Sequence, residues 1–411
     1  MDIANNKIHS NLNPPTLTKQ MKILVINCGS SSLKFSLFEI KKEYKEIAKG
    51  HIDRIGLTDT KFTFKSADYN LGLTIKCTSH TKAVELAINT LLKSKSISKI
   101  SDIHSISHRV VQGGEKYKKA TIVTAQVIKD IDKLSVLAPL HNPINLEGIL
   151  ACKKFLPRIK QVVIFDTSFF QTLPEKAYLY AIPKELHAKF GIRKYGAHGT
   201  NHKYVTNKAI KLLNNRSNLK IISCHLGNGS SMTASINGIA IDTSMGLTPM
   251  EGLPMGTRSG AIDPSAVIEI QKIKKLTPDK TADFLNSECG LKALSGGFQD
   301  MRDIYARYLK KDRSAVLAIE YLSYSIAKYI GSYTSAMNGL DAIVFTGGLG
   351  EKAFYVREKS CEYLSYLGVK LDKLKNKNCA EIISDKQSKV KVFVIEADEN
   401  IQMAIETSKI K

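Results

Sequence analysis

At 411 residues the chain is long enough for two hydrophobic cores, and its seven cysteines, odd in number and without a C-x-x-C pair, exclude a disulfide framework or a zinc ribbon and point to a reducing cytoplasm. A formal charge of +22 invites nucleic-acid binding, but the lysines are spread along the whole length with no basic-aromatic signature, so the field is read as one that draws in small anions. No run approaches the roughly 18 apolar residues of a membrane span.

Residues 1–20, polar and carrying Pro14-Pro15, read as a disordered extension without signal character. The stretch Ile23-Leu-Val-Ile-Asn-Cys-Gly-Ser-Ser-Ser-Leu-Lys34 then takes an apolar strand, suited to burial on both faces, into a turn of small hydroxyl residues over 27–32. Backbone amides and hydroxyls there can close on anionic oxygens, with Lys34 as a point charge. Phe35-Ser-Leu-Phe-Glu39 looks like a return strand, so the device is a hairpin, and G-x-x-x-x-G-K-[ST] is absent. More sheet is expected over 41–76, and helical spacing over 81–92.

Ile106-Ser-His-Arg-Val-Val-Gln-Gly-Gly114 delivers His108 and Arg109 toward a double glycine, where a guanidinium can bind a carboxylate or phosphate with two parallel hydrogen bonds or form a surface ion pair. Pro139 and Pro143 kink the segment around His141, which reads as a turn or cap residue ahead of a helix near Ile144. Val162-Val-Ile-Phe-Asp166 ends a buried strand on a carboxylate, where open α/β sheets place ligands; magnesium or an arginine is its natural partner. Tyr195-Gly-Ala-His-Gly-Thr-Asn-His202 sets two histidines at helix spacing, half of a zinc site without a third ligand nearby.

Ile221-Ile-Ser-Cys-His-Leu-Gly-Asn-Gly-Ser-Ser231 repeats the first device, with two further strands and a turn at Asn237-Gly238 after it. Two such copies predict a duplicated α/β architecture, its hairpins holding a nucleotide's phosphates from both sides of a cleft, as in the actin, sugar-kinase and Hsp70 group. The glycine- and proline-punctuated loop 246–260 carries Arg258 and reads as functional. A long helix is expected over 313–338, with Val316, Leu317, Leu322, Ile326 and Ile330 on its apolar side and Gly339 as a left-handed cap. Ala342-Ile-Val-Phe-Thr-Gly-Gly-Leu-Gly-Glu351 runs another strand into bare backbone, and Val392-Phe-Val-Ile-Glu-Ala-Asp-Glu-Asn400 ends the last strand on carboxylates able to hold a metal.

From Lys22 almost to the end, the chain resembles the acetokinase family of actin-like phosphotransferases. The resemblance rests on N-x-G-S-S-S-x-K, H-R-V-V-x-G-G, F-D-T-x-F, Y-G-x-H-G-T, H-L-G-N-G-S-S, G-L-T-P-x-E-G-x-x-M-G-T-R-x-G-x-x-D-P and F-T-G-G-x-G-E, present in that order. It implies two actin-like (ribonuclease H-like) α/β domains with a nucleotide cleft between them: domain I over 21–167, completed by a C-terminal helix at 400–411, and domain II over 168–399. The implied reaction moves the γ-phosphoryl of ATP reversibly to acetate, giving acetyl phosphate and ADP, with propionate as the alternative acceptor. A nucleotide-gated regulatory ATPase is the reading from a different class.

On matching positions, Asn27 and Glu399 would hold Mg²⁺, with Mn²⁺ the alternative ion. Arg109 would bind the acceptor carboxylate, and Val111, Leu140, Ala197 and Pro249 would wall its acyl group. Asp166, His198 and Arg258 would be catalytic. Lys34, His225, Leu226, Gly227, Asn228, Gly229, Asp300, Met301, Arg302, Gly348, Leu349, Gly350, Glu351 and Lys352 would line the nucleotide. A cytoplasmic homodimer, without nucleic-acid or membrane partners, is also implied. Four positions depart from the family pattern: Phe170 stands for His, Ala197 for Phe, Lys352 for Asn and Ala397 for Thr. Ala197 bears on acyl-chain choice and Lys352 on nucleotide choice.

Overall fold

The computed structural model describes residues 20–410, so the expected extension lies outside the described residues but for Gln20. Two compact units form: the chain up to Ser168 together with the segment from Asp398, and Phe169–Ala397. Glu399 therefore stands in unit 1, whereas the sequence reading ended domain II on it.

In unit 1, β1 (Met21–Gly29), β2 (Ser32–Ile40), β3 (Tyr44–Asp53), β4 (Thr60–Ser66) and β5 (Asn70–Ile75) make an antiparallel meander. β6 (Ser105–Val110) runs parallel to β1, β7 (Thr121–Ile122) is an edge strand, and β8 (Lys160–Phe165) lies parallel to β6. The sheet order is β5-β4-β3-β2-β1-β6-β8-β7. The apolar run of β1 is buried on both faces, as a central strand should be. Leu24 and Ile26 pack with Ala83, Ala87 and Leu91 of the helix His80–Lys93 and with Ala151 and Cys152 of the helix Asn142–Phe155. Ile23 and Val25 pack with Met403 and Ala404 of the C-terminal helix Glu399–Ser408. Thr407 of that helix also donates to the Ser107 hydroxyl at 2.8 Å.

The first turn is tighter than the sequence suggests. The ladder continues to Gly29 opposite Ser32, leaving only Ser30 and Ser31 in the turn, so Asn27 and Lys34 are cross-strand partners rather than loop residues. Two-residue hairpins match the twist of their flanking strands, which favours this register.

In unit 2, β9 (Lys220–Leu226), β10 (Ser230–Ile236) and β11 (Ile239–Thr243) form an antiparallel meander, and β12 (Ala342–Thr346) and β13 (Lys391–Val394) extend it in parallel, in the order β11-β10-β9-β12-β13. Strand for strand this repeats β3-β2-β1-β6-β8, the duplication expected from the two hairpins. The helix Gly199–Leu212 covers one face through Val205 and Ala209 against Ile221, Val344 and Phe393. The long helix Arg313–Met337 covers the other through Ala318, Ile319, Leu322, Ile326 and Ile330.

Two details of that long helix differ from expectation. The left-handed residue at its end is Asn338 (φ 53°), one position early; asparagine tolerates that conformation, and Gly339 follows at φ 129°. Leu317 is 50 % exposed, because the buried stripe runs through Ala315, Ala318 and Ile319 and position 317 falls beside it.

Candidate active site

In unit 1 the carboxyl ends of three adjacent parallel strands carry Asn27 (β1), Arg109 (β6) and Asp166, the residue directly after β8. Open α/β sheets bind ligands at such ends. Arg109 donates through Nε (3.0 Å) and Nη2 (2.6 Å) to Oδ2 of the fully buried Asp166. Its Nη1 lies 3.4 Å from Oδ1 of Asn27, and its Nε 4.0 Å from a carboxylate oxygen of Glu399. Burial works against the guanidinium charge, but Asp166 and Glu399 outweigh it and raise the Arg109 pKa above its ordinary value. The Glu399 carboxyl is pushed up, chiefly by burial; Arg109 pulls the other way and Asp166 adds to the rise.

Asp166 thus grips one side of the guanidinium and fixes its plane, which leaves the Nη1/Nη2 edge as a fork for a carboxylate. Among the described residues no three His, Cys, Asp or Glu side chains gather as a metal site. Asn27 and Glu399 nevertheless offer two hard oxygen donors. That set fits an ion such as Mg²⁺, which commonly takes one or two protein oxygens and completes its shell with phosphates and water.

In unit 2, His198 precedes the helix Gly199–Leu212 in the left-handed region (φ 58°), an uncommon backbone for a residue other than glycine. Its Nδ1 meets the Ser231 hydroxyl at 2.9 Å, and its ring stacks on His225 with centroids 4.2 Å apart. A β-carbon added at Gly229 would stand 3.5 Å from Nε2 of His198 and 3.7 Å from Nη1 of Arg258. Two nitrogens thus converge over bare backbone, leaving room for an anionic oxygen. Arg258 also approaches the Pro249 carbonyl at 3.3 Å and the Met255 sulfur at 3.7 Å, and burial lowers its pKa.

The loop 246–260 that carries Arg258 is tied down by backbone. Met255 N donates to Arg258 O at 3.1 Å, Leu291 N to Met255 O at 2.8 Å, Lys292 N to Gly256 O at 2.9 Å and Gly256 N to Asn228 O at 3.2 Å. That last bond joins it to the Gly227-Asn228-Gly229 turn.

Among the other expected nucleotide positions, an added β-carbon at Gly348 meets nothing within 4 Å, so its backbone is open. Asp300 caps the helix Met301–Leu309 by accepting from Arg302 N, and pairs with the exposed Arg302 guanidinium. Lys352 is exposed at the end of the short helix Gly347–Lys352, which contains Leu349 and Gly350. Two side chains face away from a ligand: Leu226 is core, and Glu351 folds back to accept from Gly347 N (3.0 Å) and Ala397 N (2.9 Å). Lys34 lies cross-strand from Asn27.

Of the acyl-wall positions, Val111 is buried in unit 1 and Leu140 is 70 % exposed. Ala197 packs with Met245 and Met255 in unit 2, where Pro249 is half-buried. Phe170 is fully buried, its ring filling the space against the bare Gly196. His198 and His202 do not form half of a metal site. Both nitrogens of the fully buried His202 are taken, Nδ1 by the Ser223 hydroxyl (2.7 Å) and Nε2 by that of Ser231 (2.7 Å). Ser231 and Asn201, which bonds His225 Nδ1 at 2.8 Å, have no part in the sequence reading, and His202 enters it only as half of a zinc site. Their signal was present in the same two motifs, as polar residues one strand position or one helical turn from a candidate.

Fold and site together fit a two-domain actin-like phosphotransferase with an arginine–carboxylate pair at the strand ends of unit 1. The family model described as "Acetokinase family" matches residues 22–405, and the chain belongs to that family. It is 46 % identical over 398 residues to the acetate kinase of Thermotoga maritima, covering 95 % of this chain and 98 % of that one. It is 47 % identical over 393 residues to the acetate kinase of Desulfitobacterium hafniense, covering 94 % and 98 %. Among solved structures it resembles Porphyromonas gingivalis acetate kinase (TM-score 0.87, 39 % identity, 93 % and 98 % covered) and a propionate kinase from Francisella tularensis (TM-score 0.87, 40 % identity, 94 % and 98 % covered).

Proposed function

We propose that the protein is a kinase that transfers the γ-phosphoryl group of ATP reversibly to acetate. The observation that carries the reading is the Arg109 fork, held by a buried Asp166 beside Asn27 and Glu399. An acetate nucleophile, with a pKa in the ordinary carboxylate range, is ionised at neutral pH and needs no general base. The catalytic burden is therefore orientation and charge. Arg109 holds the acceptor, and His198 and Arg258 neutralise the equatorial oxygens of the transferring group over Gly229.

Asn27 and Glu399 would hold Mg²⁺ or Mn²⁺, which supplies charge neutralisation on the nucleotide phosphates. The glycine turns at 227–229 and 347–350, with Lys34, His225 and the Asp300–Arg302 segment, would receive the nucleotide. Lys352 would set how strictly the base is chosen. We place the enzyme in the cytoplasm as a homodimer; exposed Leu317, Tyr321 and Tyr324 on the long helix are apolar surface a second copy can cover, and no helix among the described residues is long and apolar enough to cross a membrane.

Hydroxylamine trapping tests the reaction. Acetyl hydroxamate should form only with ATP, a divalent cation and acetate together. ATP hydrolysis indifferent to acetate would instead indicate a nucleotide-gated regulator, and faster turnover of propionate would reassign the acceptor.

A further inference from the structure

A chain of hydrogen bonds runs from His198 into the core of unit 2. His198 Nδ1 meets Ser231 Oγ at 2.9 Å, Ser231 Oγ meets His202 Nε2 at 2.7 Å, and His202 Nδ1 meets Ser223 Oγ at 2.7 Å. Ser223, Ser231 and His202 are all fully buried, so the chain is shielded from water. The geometry points to Ser231 and His202 as positioning residues that hold the Nδ1 edge of His198 so that a protonated Nε2 is presented toward Gly229 and Arg258. The inference rests on the role proposed above for His198 in phosphoryl transfer.

Counting protons leaves two senses for the chain. Ser231 has one hydroxyl proton and two histidines to serve, and a neutral imidazole donates at one nitrogen and accepts at the other. If Ser231 donates to His198 Nδ1, it accepts from His202 Nε2–H; His202 Nδ1 then accepts from Ser223, and His198 carries its proton on Nε2. In the reverse sense His198 Nδ1–H donates to Ser231, and a neutral His198 offers only a lone pair at Nε2. The first arrangement alone makes His198 a hydrogen-bond donor without requiring it to be charged. A neutral donor suits a ring that stacks on His225 and faces the Arg258 guanidinium across Gly229, since a second positive charge beside Arg258 would be repelled. His202 can serve in this way because burial, with His225 adding to it, keeps its pKa well below the ordinary value.

The test uses the natural protein labelled with ¹⁵N-histidine. At pH 7.5 the nitrogen spectrum of His198, assigned by comparison with His198→Gln, should show Nε2 protonated and Nδ1 as an acceptor. Ser231→Ala should turn this into a tautomer mixture and lower kcat on the order of 10- to 100-fold, the usual cost of losing a partner that orients an active group, with KM for acetate little changed. Ser231→Thr should restore most of the rate. Finding Nδ1 protonated in the natural protein overturns the inference whatever the variants do, and so does a normal kcat in a folded Ser231→Ala protein. Near-normal turnover by His198→Gln would instead remove the role proposed for His198, so the two failures are told apart.

Discussion

Single residues divide by what their removal leaves behind. Arg109→Ala removes both guanidinium hydrogen bonds to the buried Asp166 carboxylate, and breaking a buried ion pair costs about 3–5 kcal/mol, so this variant should lose both acetyl phosphate formation and thermal stability. Arg258→Ala gives up, among the described residues, approaches to a carbonyl and a sulfur. It should lose turnover on the order of 10²- to 10³-fold while its Tm stays close to that of the natural protein, and near-normal turnover would remove Arg258 from the mechanism. Ala197 is packed between Met245 and Met255, next to the glycine that holds the Phe170 ring. Ala197→Phe should therefore overpack the site by about 1–3 kcal/mol and shift kcat/KM further toward acetate over propionate; an unchanged ratio means that Ala197 does not shape the acyl pocket.

Elements are held together by close approaches that can be probed one methyl at a time. In the helix Asn142–Phe155, a β-carbon on Gly148 would stand 2.5 Å from the Cys28 sulfur on β1, whereas one on Gly72 in β5 meets nothing within 4 Å. Gly148→Ala should lower the urea midpoint by the equivalent of about 1–3 kcal/mol, with Gly72→Ala neutral or slightly stabilising; equal effects would mean that the helix shifts to make room. Two buried histidines, one on β6 and one on the helix Gly199–Leu212, govern the acid side. Burial brings His108 down to about 4 and His202 well below its ordinary value. Unfolded, both titrate near 6.5. Below that pH the unfolded chain takes up protons that the fold refuses, so stability falls as pH drops from about 6.5 toward 4, by about 3 kcal/mol for His108 alone. Urea midpoints at pH 7.5 and pH 5 should differ accordingly, and His108→Gln should flatten part of the slope; equal midpoints in the natural protein would refute this account.

These elements also show what the sequence can disclose. Strands buried on both faces and the paired hairpins were legible because apolar runs and small-residue turns are local. The Arg109 to Asp166 grip was legible as an acid and a base at strand ends, but not as a pair, because strands β6 and β8 become neighbours only through sheet order. The Ser231 to His202 link was illegible for the same reason: a serine hydroxyl carries no periodicity, and its partner lies 29 positions away.

For the whole molecule, the consequential feature is that unit 1 is built from two separate stretches of chain. Its terminal helix covers Ile23, Val25, Phe38, Val162 and Ile164, and without it that sheet face is bare. A protein ending at Ala397 should bind the dye ANS, lose the unfolding transition of unit 1, and recover both when a peptide spanning 398–411 is added; retention of the natural transition would show the helix to be dispensable. On the ribosome the same feature becomes a delay. Residues up to 168 emerge about 230 positions before the segment that seals them, which at ordinary synthesis rates leaves an unfinished hydrophobic surface waiting for roughly 10 to 50 seconds. The unit that begins first is completed last, and through that interval the sheet face that the terminal helix covers stays open to other chains.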